Sequence, residues 1–108
     1  MGRITMSAHT SEQEIIGYTV RVAERLESID SMDKMNILEV NYTVNERAGV
    51  TGVEFVLTVG GPDVRVDALS GRIRGSWGGD THTTHFDSDV VEEYARMLAR
   101  QFEEERNL

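Results

Sequence analysis

The chain has 108 residues, no cysteine and a formal net charge of −8 at pH 7. A chain of this length buries roughly two thirds of the surface that its unfolded form exposes, so one core suffices without a disulfide or a metal. The absence of cysteine excludes a thiolate zinc site and a cysteine nucleophile. The sequence contains neither a run of about 20 apolar residues nor a signal-peptide pattern, so we expect a cytoplasmic protein without a membrane partner.

The N-terminal part of the chain predicts one helix. Residues 1–10 carry no periodic pattern and are predicted to form a disordered segment ahead of a single domain over 11–108. Apolar residues then recur at helical spacing, which predicts an amphipathic helix over about 11–29. Gly17 weakens such a helix by up to about 1 kcal/mol relative to alanine, so we expect packing against a sheet to hold it in place.

From Leu38 onward apolar and polar residues alternate, which is the period of a half-buried strand with one wet face. The alternation predicts one strand over about 38–45 and a second over about 53–59. Ala48 and Gly49 lie in the connecting turn. Further along, Val64 and Val66 predict a third inward-facing strand, and Ile73 marks a fourth.

The segment from Leu57 to Asp80 contains the only proline, the only tryptophan and six of the ten glycines. The glycines and the proline therefore define the backbone conformation of this segment, whereas the segment contains no recognisable catalytic motif. We predict structural roles for a corner, a hairpin glycine at positive φ and a core-facing tryptophan. These residues are, in that order, Gly60, Gly61 and Pro62, then Gly71, then Trp77.

The last part of the chain predicts a second helix, from a cap region at 87–89 to about 105. The polar segment 81–85 before it is rich in threonine and is assigned no element. The element order is then α-β-β-β-β-α. We predict an α+β fold in which a four-stranded, mainly antiparallel sheet carries the N-terminal and C-terminal helices on one face.

Two imidazoles and two carboxylates lie within the eight residues 80–87. Asp80, His82 and His85 are therefore candidate ligands for zinc or another divalent ion. The same residues define an alternative function, a small metal-dependent or acid–base enzyme. Ordinary loop histidines are the competing interpretation. No catalytic residue is assigned, an enzyme is the less favoured class, and no cofactor is predicted.

Two charged surfaces are candidate binding sites. Successive side chains of a strand point to opposite faces of the sheet, and this alternation places Arg65, Arg72 and Arg74 on the face opposite the helices. There they could engage an acidic partner or a phosphate backbone. A nucleic-acid binder acting through these arginines is a further alternative, although the net acidity disfavours it. The competing interpretation is cross-strand pairing with carboxylates, namely Asp67, Glu54 and Glu39.

The second candidate surface is the acidic C-terminal helix. Its carboxylates could occupy a basic groove on a nucleic-acid-binding protein, although charge runs are often only solvated helix faces. The residues assigned to this surface are Glu92, Glu93 and Glu103.

The run Val56-Leu57-Thr58-Val59-Gly60-Gly61-Pro62, followed after a hairpin by Trp77, resembles a Leu-Thr-x-Gly-Gly-Pro strand–turn motif. That motif occurs in small uncharacterised accessory proteins of phages, plasmids and their hosts. Family members often carry Asp before the tryptophan, whereas here Ser76 precedes it and Asp80 follows it. The resemblance implies a mobile-element or viral setting, in which small acidic proteins bind and block host machinery, including CRISPR and restriction complexes.

The missing catalytic motifs, the dispersed acidity and this resemblance favour one function. We expect a noncatalytic acidic binding protein of mobile-element or viral type, with an anti-defence role (anti-CRISPR or anti-restriction) exerted by protein–protein interaction. The expected partner is a protein, and a homodimer is left open.

Overall fold

The computed structural model of the chain describes residues 11–58 and 62–107. Within these ranges, helix α1 (Ser11–Ser28) is followed by a short 3₁₀ turn (Met32–Lys34), five strands and helix α2 (Asp89–Arg106). The strands are β1 (Glu39–Asn45), β2 (Gly49–Thr58), β3 (Asp63–Asp67), β4 (Arg72–Trp77) and β5 (Asp80–His85). They form one antiparallel sheet in the order β1-β2-β3-β4-β5.

The predicted α+β class and antiparallel order are confirmed, but the predicted four strands are one too few. The segment that the sequence assigned to no element forms β5, which pairs with β4 along its whole length. Gly78 and Gly79, at φ 58° and 88°, close this hairpin with the two positive φ angles that a type I′ turn requires. Threonine and histidine occupy both faces of β5, so no hydrophobic period marks it as a strand.

Both helices cover the same face of the sheet. Helix α1 packs on β4 and β5, where the hydroxyl oxygens of Thr19 and Thr84 lie 3.0 Å apart. Helix α2 packs on β2, where the ring centroids of Tyr94 and Phe55 lie 5.9 Å apart. The strand register from Phe55 across to Thr84 places both contacts on one side. The two-layer arrangement predicted for the helices is therefore present.

Apolar side chains fill the space between the sheet and the helices. The predicted inward positions Ile15 and Leu26 on α1 and those of the central strands are buried, whereas Leu38 and Val44, at the ends of the first predicted strand, are exposed. Burying each such apolar side chain contributes about 1.5–3 kcal/mol. The largest fully buried apolar side chains are Phe55, Ile15, Leu26, Ile73, Val53, Val64, Val66 and Val91.

Helix α1 lies close to β4 because Gly75 has no side chain. A Cβ built on Gly75 would lie 2.6 Å from Ile15 Cδ1 and 2.7 Å from Thr19 Cγ2. Carbon atoms in good contact are about 3.5–4.0 Å apart. A larger residue at this position would push α1 away from the sheet.

The glycine-rich segment differs in part from expectation. Gly71 has the expected positive φ, 72°. Trp77, expected to face the core, lies on the helix side of the sheet but is 36% exposed, because it is the last residue of β4. The predicted corner glycines Gly60 and Gly61 and the predicted disordered segment 1–10 lie outside the described residues. Neither helix in the described part of the chain has the length and apolar character needed to cross a membrane.

Candidate functional site

A cleft opens between the first half of α1 and the end of β4. Its volume is about 560 Å³, which falls in the range of roughly 300–1,000 Å³ that is common for ligand sites. The cleft is lined by Gln13, Glu14, Ile15, Gly17, Tyr18, Arg21, Pro62 and Trp77. It is therefore built from the helix, the strand end and the residue that precedes β3.

The position of Trp77 in this cleft is set by backbone geometry. Trp77 pairs with Asp80 across the hairpin, and the intervening Gly78-Gly79 turn is a tight two-residue connection. Strand pairing therefore fixes the backbone that carries the indole. The indole remains partly open to solvent, since Trp77 is 36% exposed.

Tyr18 and Arg21, about one helical turn apart, form the opposite wall. The guanidinium carbon of Arg21 lies 5.7 Å from the ring centroid of Tyr18, within cation–π range. Gly17 has no side chain, so nothing projects from this wall into the cleft at that position. The nearest atom to a Cβ built on Gly17 is Arg21 Nη1, at 3.4 Å. The mid-helix glycine thus leaves room in the cleft that any side chain would occupy.

The cleft combines apolar and charged groups in the arrangement of a small binding surface. Trp77 and the half-buried Tyr18 contribute apolar area, whereas Glu14 and Arg21 are exposed and carry opposite charges. An apolar centre with a polar rim is the anatomy of protein–protein interfaces. The arrangement suits recognition of a side chain with an apolar body.

On the opposite face of the sheet, two of the three predicted arginines are paired with carboxylates. Arg65 Nε donates to Asp63 Oδ1 at 2.9 Å, and its Nη1 lies 3.3 Å from Glu54 Oε1. The hydrogen bond to Asp63 and its charge raise the pKa of Arg65 above the ordinary value. Arg72 Nη2 lies 3.2 Å from Asp67 Oδ2.

Arg74 lies beside Arg65 in the register and is exposed. Among the ion pairs formed by described residues, Arg74 takes part in none. The face therefore carries paired charges around a single additional cation. This geometry favours the cross-strand pairing interpretation over a free positive patch.

The three acidic residues assigned to α2 do not form one array. Glu92 accepts a 2.6 Å hydrogen bond from Arg96 Nη2 one turn along the helix. Glu103 is half-buried, and its Oε2 accepts a hydrogen bond of 2.8 Å from the backbone N–H of Val50. Glu93 is exposed. Glu92 and Glu103 are thus engaged within the chain.

The predicted metal ligands are separated by the strand that carries them. His82 pairs with Gly75 on the helix side, whereas His85 pairs with Arg72 on the outer side, because three positions along a strand reverse the direction of the side chain. Asp80 lies on the same side as His82. No group of three or more His, Cys, Asp or Glu side chains suited to hold a metal ion is found in residues 11–58 and 62–107. The predicted three-residue ligand set does not converge.

The helical half of the cleft cannot be recognised from the sequence pattern alone. Gly17 stood out as a helix-weakening residue, and Tyr18 and Arg21 have the spacing of neighbours on one helix face. These signals place three residues together on α1. They do not show that Trp77, about 60 positions later in the chain, lies opposite them.

Comparison of the chain with family models, with curated protein sequences and with solved structures finds no match. The functional assignment therefore starts from the geometry of the cleft and of the sheet.

Proposed function

We propose that this chain is a noncatalytic binding domain that acts by protein–protein interaction, and that the cleft beside Trp77 receives a side chain of the partner. One observation carries the proposal: the only tryptophan of the chain is 36% exposed in a cleft that also contains Tyr18 and Arg21. Tryptophan, tyrosine and arginine are the residue types that dominate binding energy at protein interfaces.

The construction of the cleft supports this proposal. Strand pairing and a tight turn hold the backbone of Trp77, and the helix wall is held close by Gly75. A site on rigid elements loses little conformational entropy when it binds. The partner contact is therefore expected to be preorganised, with little backbone movement between the free and bound forms.

The finer proposal is an anti-defence role in a mobile element or virus, exerted in the cytoplasm. Its support is the sequence resemblance around Pro62 and Trp77, together with the net charge of −8, which suits a partner with a basic surface. Components of CRISPR or restriction complexes are the expected partners. Recovery of metabolic enzymes alone would contradict this finer proposal and leave the binding function standing.

The binding function is tested by affinity purification from a cell extract with three baits: the native chain, Trp77→Ala and Met97→Ala. Met97 is the matched control, since it is 38% exposed and lies on α2, away from the cleft. A partner that uses the cleft is retained by the native chain and by Met97→Ala. It is lost with Trp77→Ala, because truncating an anchor of this kind weakens binding about 30-fold, or about 2 kcal/mol.

A direct measurement uses the fluorescence of Trp77, which is the only tryptophan. Titration with the purified partner shifts the emission to shorter wavelength if the indole becomes buried. Binding that leaves both the emission and the Trp77→Ala affinity unchanged would place the contact elsewhere and overturn the assignment of the cleft.

A further inference from the structure

Strand β1 is an open edge of the sheet. Within the described ranges no strand pairs with its outer side. The N–H and C=O groups of such an edge form a template for another strand, and natural edges are usually protected by proline, lysine or a bulge. β1 contains no proline or lysine. Its irregularity against β2 inserts Thr51 into β2, so β1 itself keeps a regular alternation from Glu39 to Asn45.

Exposed apolar side chains lie at both ends of this edge. Leu38 is 55% exposed and Val44 is 44% exposed. The backbone N–H of Leu38 donates to Val56 O at 2.8 Å, although Val56 is the register partner of Glu39, so the regular pairing with β2 begins at Glu39. Helix α2 covers only the middle of β1, where the rings of Phe102 and Tyr42 stack with centroids 4.2 Å apart.

The sequence of this edge is complementary to itself. We propose that β1 of a second copy of this chain pairs with it, antiparallel, about a two-fold axis at Asn41. Leu38 then faces Val44, Val40 faces Tyr42, Glu39 faces Thr43, and Asn41 faces its own counterpart. Apolar residues meet apolar residues on the helix side, and polar residues meet polar residues on the outer side.

This register brings no like charges into direct opposition, which would destabilise a strand pair. It also covers Leu38 and Val44 of both copies at once. The other free edge, β5, offers no equivalent, since its six residues are Asp80, two histidines and three threonines. The chemistry of β1 therefore selects a second copy of this chain as its partner, in an isologous interface.

Salt provides a signature of this interface. Each copy carries a net charge of −8, so two copies repel each other, and added salt screens that repulsion. An interface formed by backbone hydrogen bonds and apolar side chains is expected to strengthen as salt increases. An interface formed by ion pairs would weaken.

The first test measures mass against concentration by sedimentation equilibrium. The native chain is expected to rise from 12.1 kDa towards twice that mass. Val44→Lys is expected to weaken association about tenfold or more, because it places a charge opposite the apolar Leu38 of the second copy. Val20→Lys is the control, with the same charge change at a residue that is 40% exposed on α1. Leu38→Lys repeats the test if Val44→Lys disturbs folding.

The second test fixes the register with single cysteines, which this cysteine-free chain permits. Asn41→Cys places two thiols directly opposite each other, at a Cα separation of about 4.5–5.5 Å that a disulfide can span. Thr43→Cys is the matched control on the same face. Its two thiols would be four positions out of register, roughly 13 Å apart along the strand.

Oxidative cross-linking of Asn41→Cys but not of Thr43→Cys supports the proposal. A native chain that stays at 12.1 kDa up to its solubility limit overturns it. A dimer that tolerates lysine at both Leu38 and Val44, or that cross-links at Thr43 in preference to Asn41, overturns it equally.

Discussion

The two helices are held on the sheet in different ways. Helix α1 approaches β4 closely at Gly75, where even a methyl group would meet Ile15 and Thr19. Helix α2 is held on β1 and β2 by aromatic rings, with Phe102 on Tyr42 and Tyr94 near Phe55. The α1 contact is therefore intolerant of added volume, whereas the α2 contact is sensitive to removed volume.

This difference matters because each helix borders a different proposed surface. Helix α1 forms one wall of the Trp77 cleft, so its close packing fixes the shape of the cleft. Helix α2 lies beside the β1 edge and reaches β2 through the hydrogen bond between Glu103 and the N–H of Val50. Substitutions at each contact can separate the two regions.

The largest effect is expected at Gly75. Gly75→Ala places a Cβ 2.6 Å from Ile15 Cδ1, so the helix must shift or Ile15 must leave its rotamer. Overpacking of this kind costs about 1–3 kcal/mol, and the side chains of Ile15 and Thr19 are both fully buried with little room to relax, so we expect a loss near the upper end. Urea unfolding monitored by circular dichroism measures it. Unfolding at an unchanged urea concentration would show that the contact can adjust.

A somewhat smaller effect is expected at Phe102. Phe102→Ala removes a half-buried ring, and we expect a loss of about 2 kcal/mol, below the ~3–5 kcal/mol of a fully buried phenylalanine. The same substitution exposes Tyr42. Burial is the largest cause that raises the pKa of Tyr42 above its ordinary 10.0, followed by the nearby Tyr94 and Glu105.

The tyrosine titration provides a second measurement at this contact. Because the folded-state pKa of Tyr42 is raised, its contribution to stability is complete below about pH 10 and is lost as the pH rises through the folded-state value. Absorbance of the phenolate should therefore show that Tyr42 titrates at a higher pH in the native chain than in Phe102→Ala. Identical titration curves would mean that Phe102 does not shield Tyr42.

The smallest effect has the opposite sign. Gly17→Ala is expected to stabilise α1 by about 0.5–1 kcal/mol, because alanine is the better helix former and the new methyl group meets only Arg21 Nη1, at 3.4 Å. The same methyl group narrows the cleft, so binding of a partner that uses Trp77 should weaken while stability rises. A variant that gains stability and keeps full affinity would show that the partner does not contact this wall.

The amino-acid pattern predicted the elements that bury apolar side chains and missed the one that does not. Apolar residues at every second position, as at Val64 and Val66, mark the buried face of a strand. Apolar residues at helical spacing, as at Ile15 and Leu26, mark the buried face of a helix, and both spacings can be read from the sequence. Strand β5 has threonine on both faces, so its existence depends on pairing with β4 and on the turn at Gly78. Local sequence carries little information about such pairing.

The candidate site was only partly predictable for a related reason. The alternation of side chains along β4 gives the side of the sheet on which Trp77 lies, but its exposure depends on how the neighbouring elements pack around the end of the strand. Likewise, alternation placed Arg65 and Arg72 on the outer face, while their pairing with Asp63 and Asp67 depends on side-chain geometry. Both outcomes are properties of tertiary packing.

The chain order of α1 has a consequence for folding. This helix is synthesised before the strands, yet it packs on β4 and β5, and its Thr19–Thr84 contact spans 65 residues. Neighbouring strands are joined by short hairpins, whose closure costs far less entropy than a contact of this span. We expect the sheet to assemble before α1 docks, so that loosening the Gly75 contact mainly accelerates unfolding and leaves the folding rate almost unchanged.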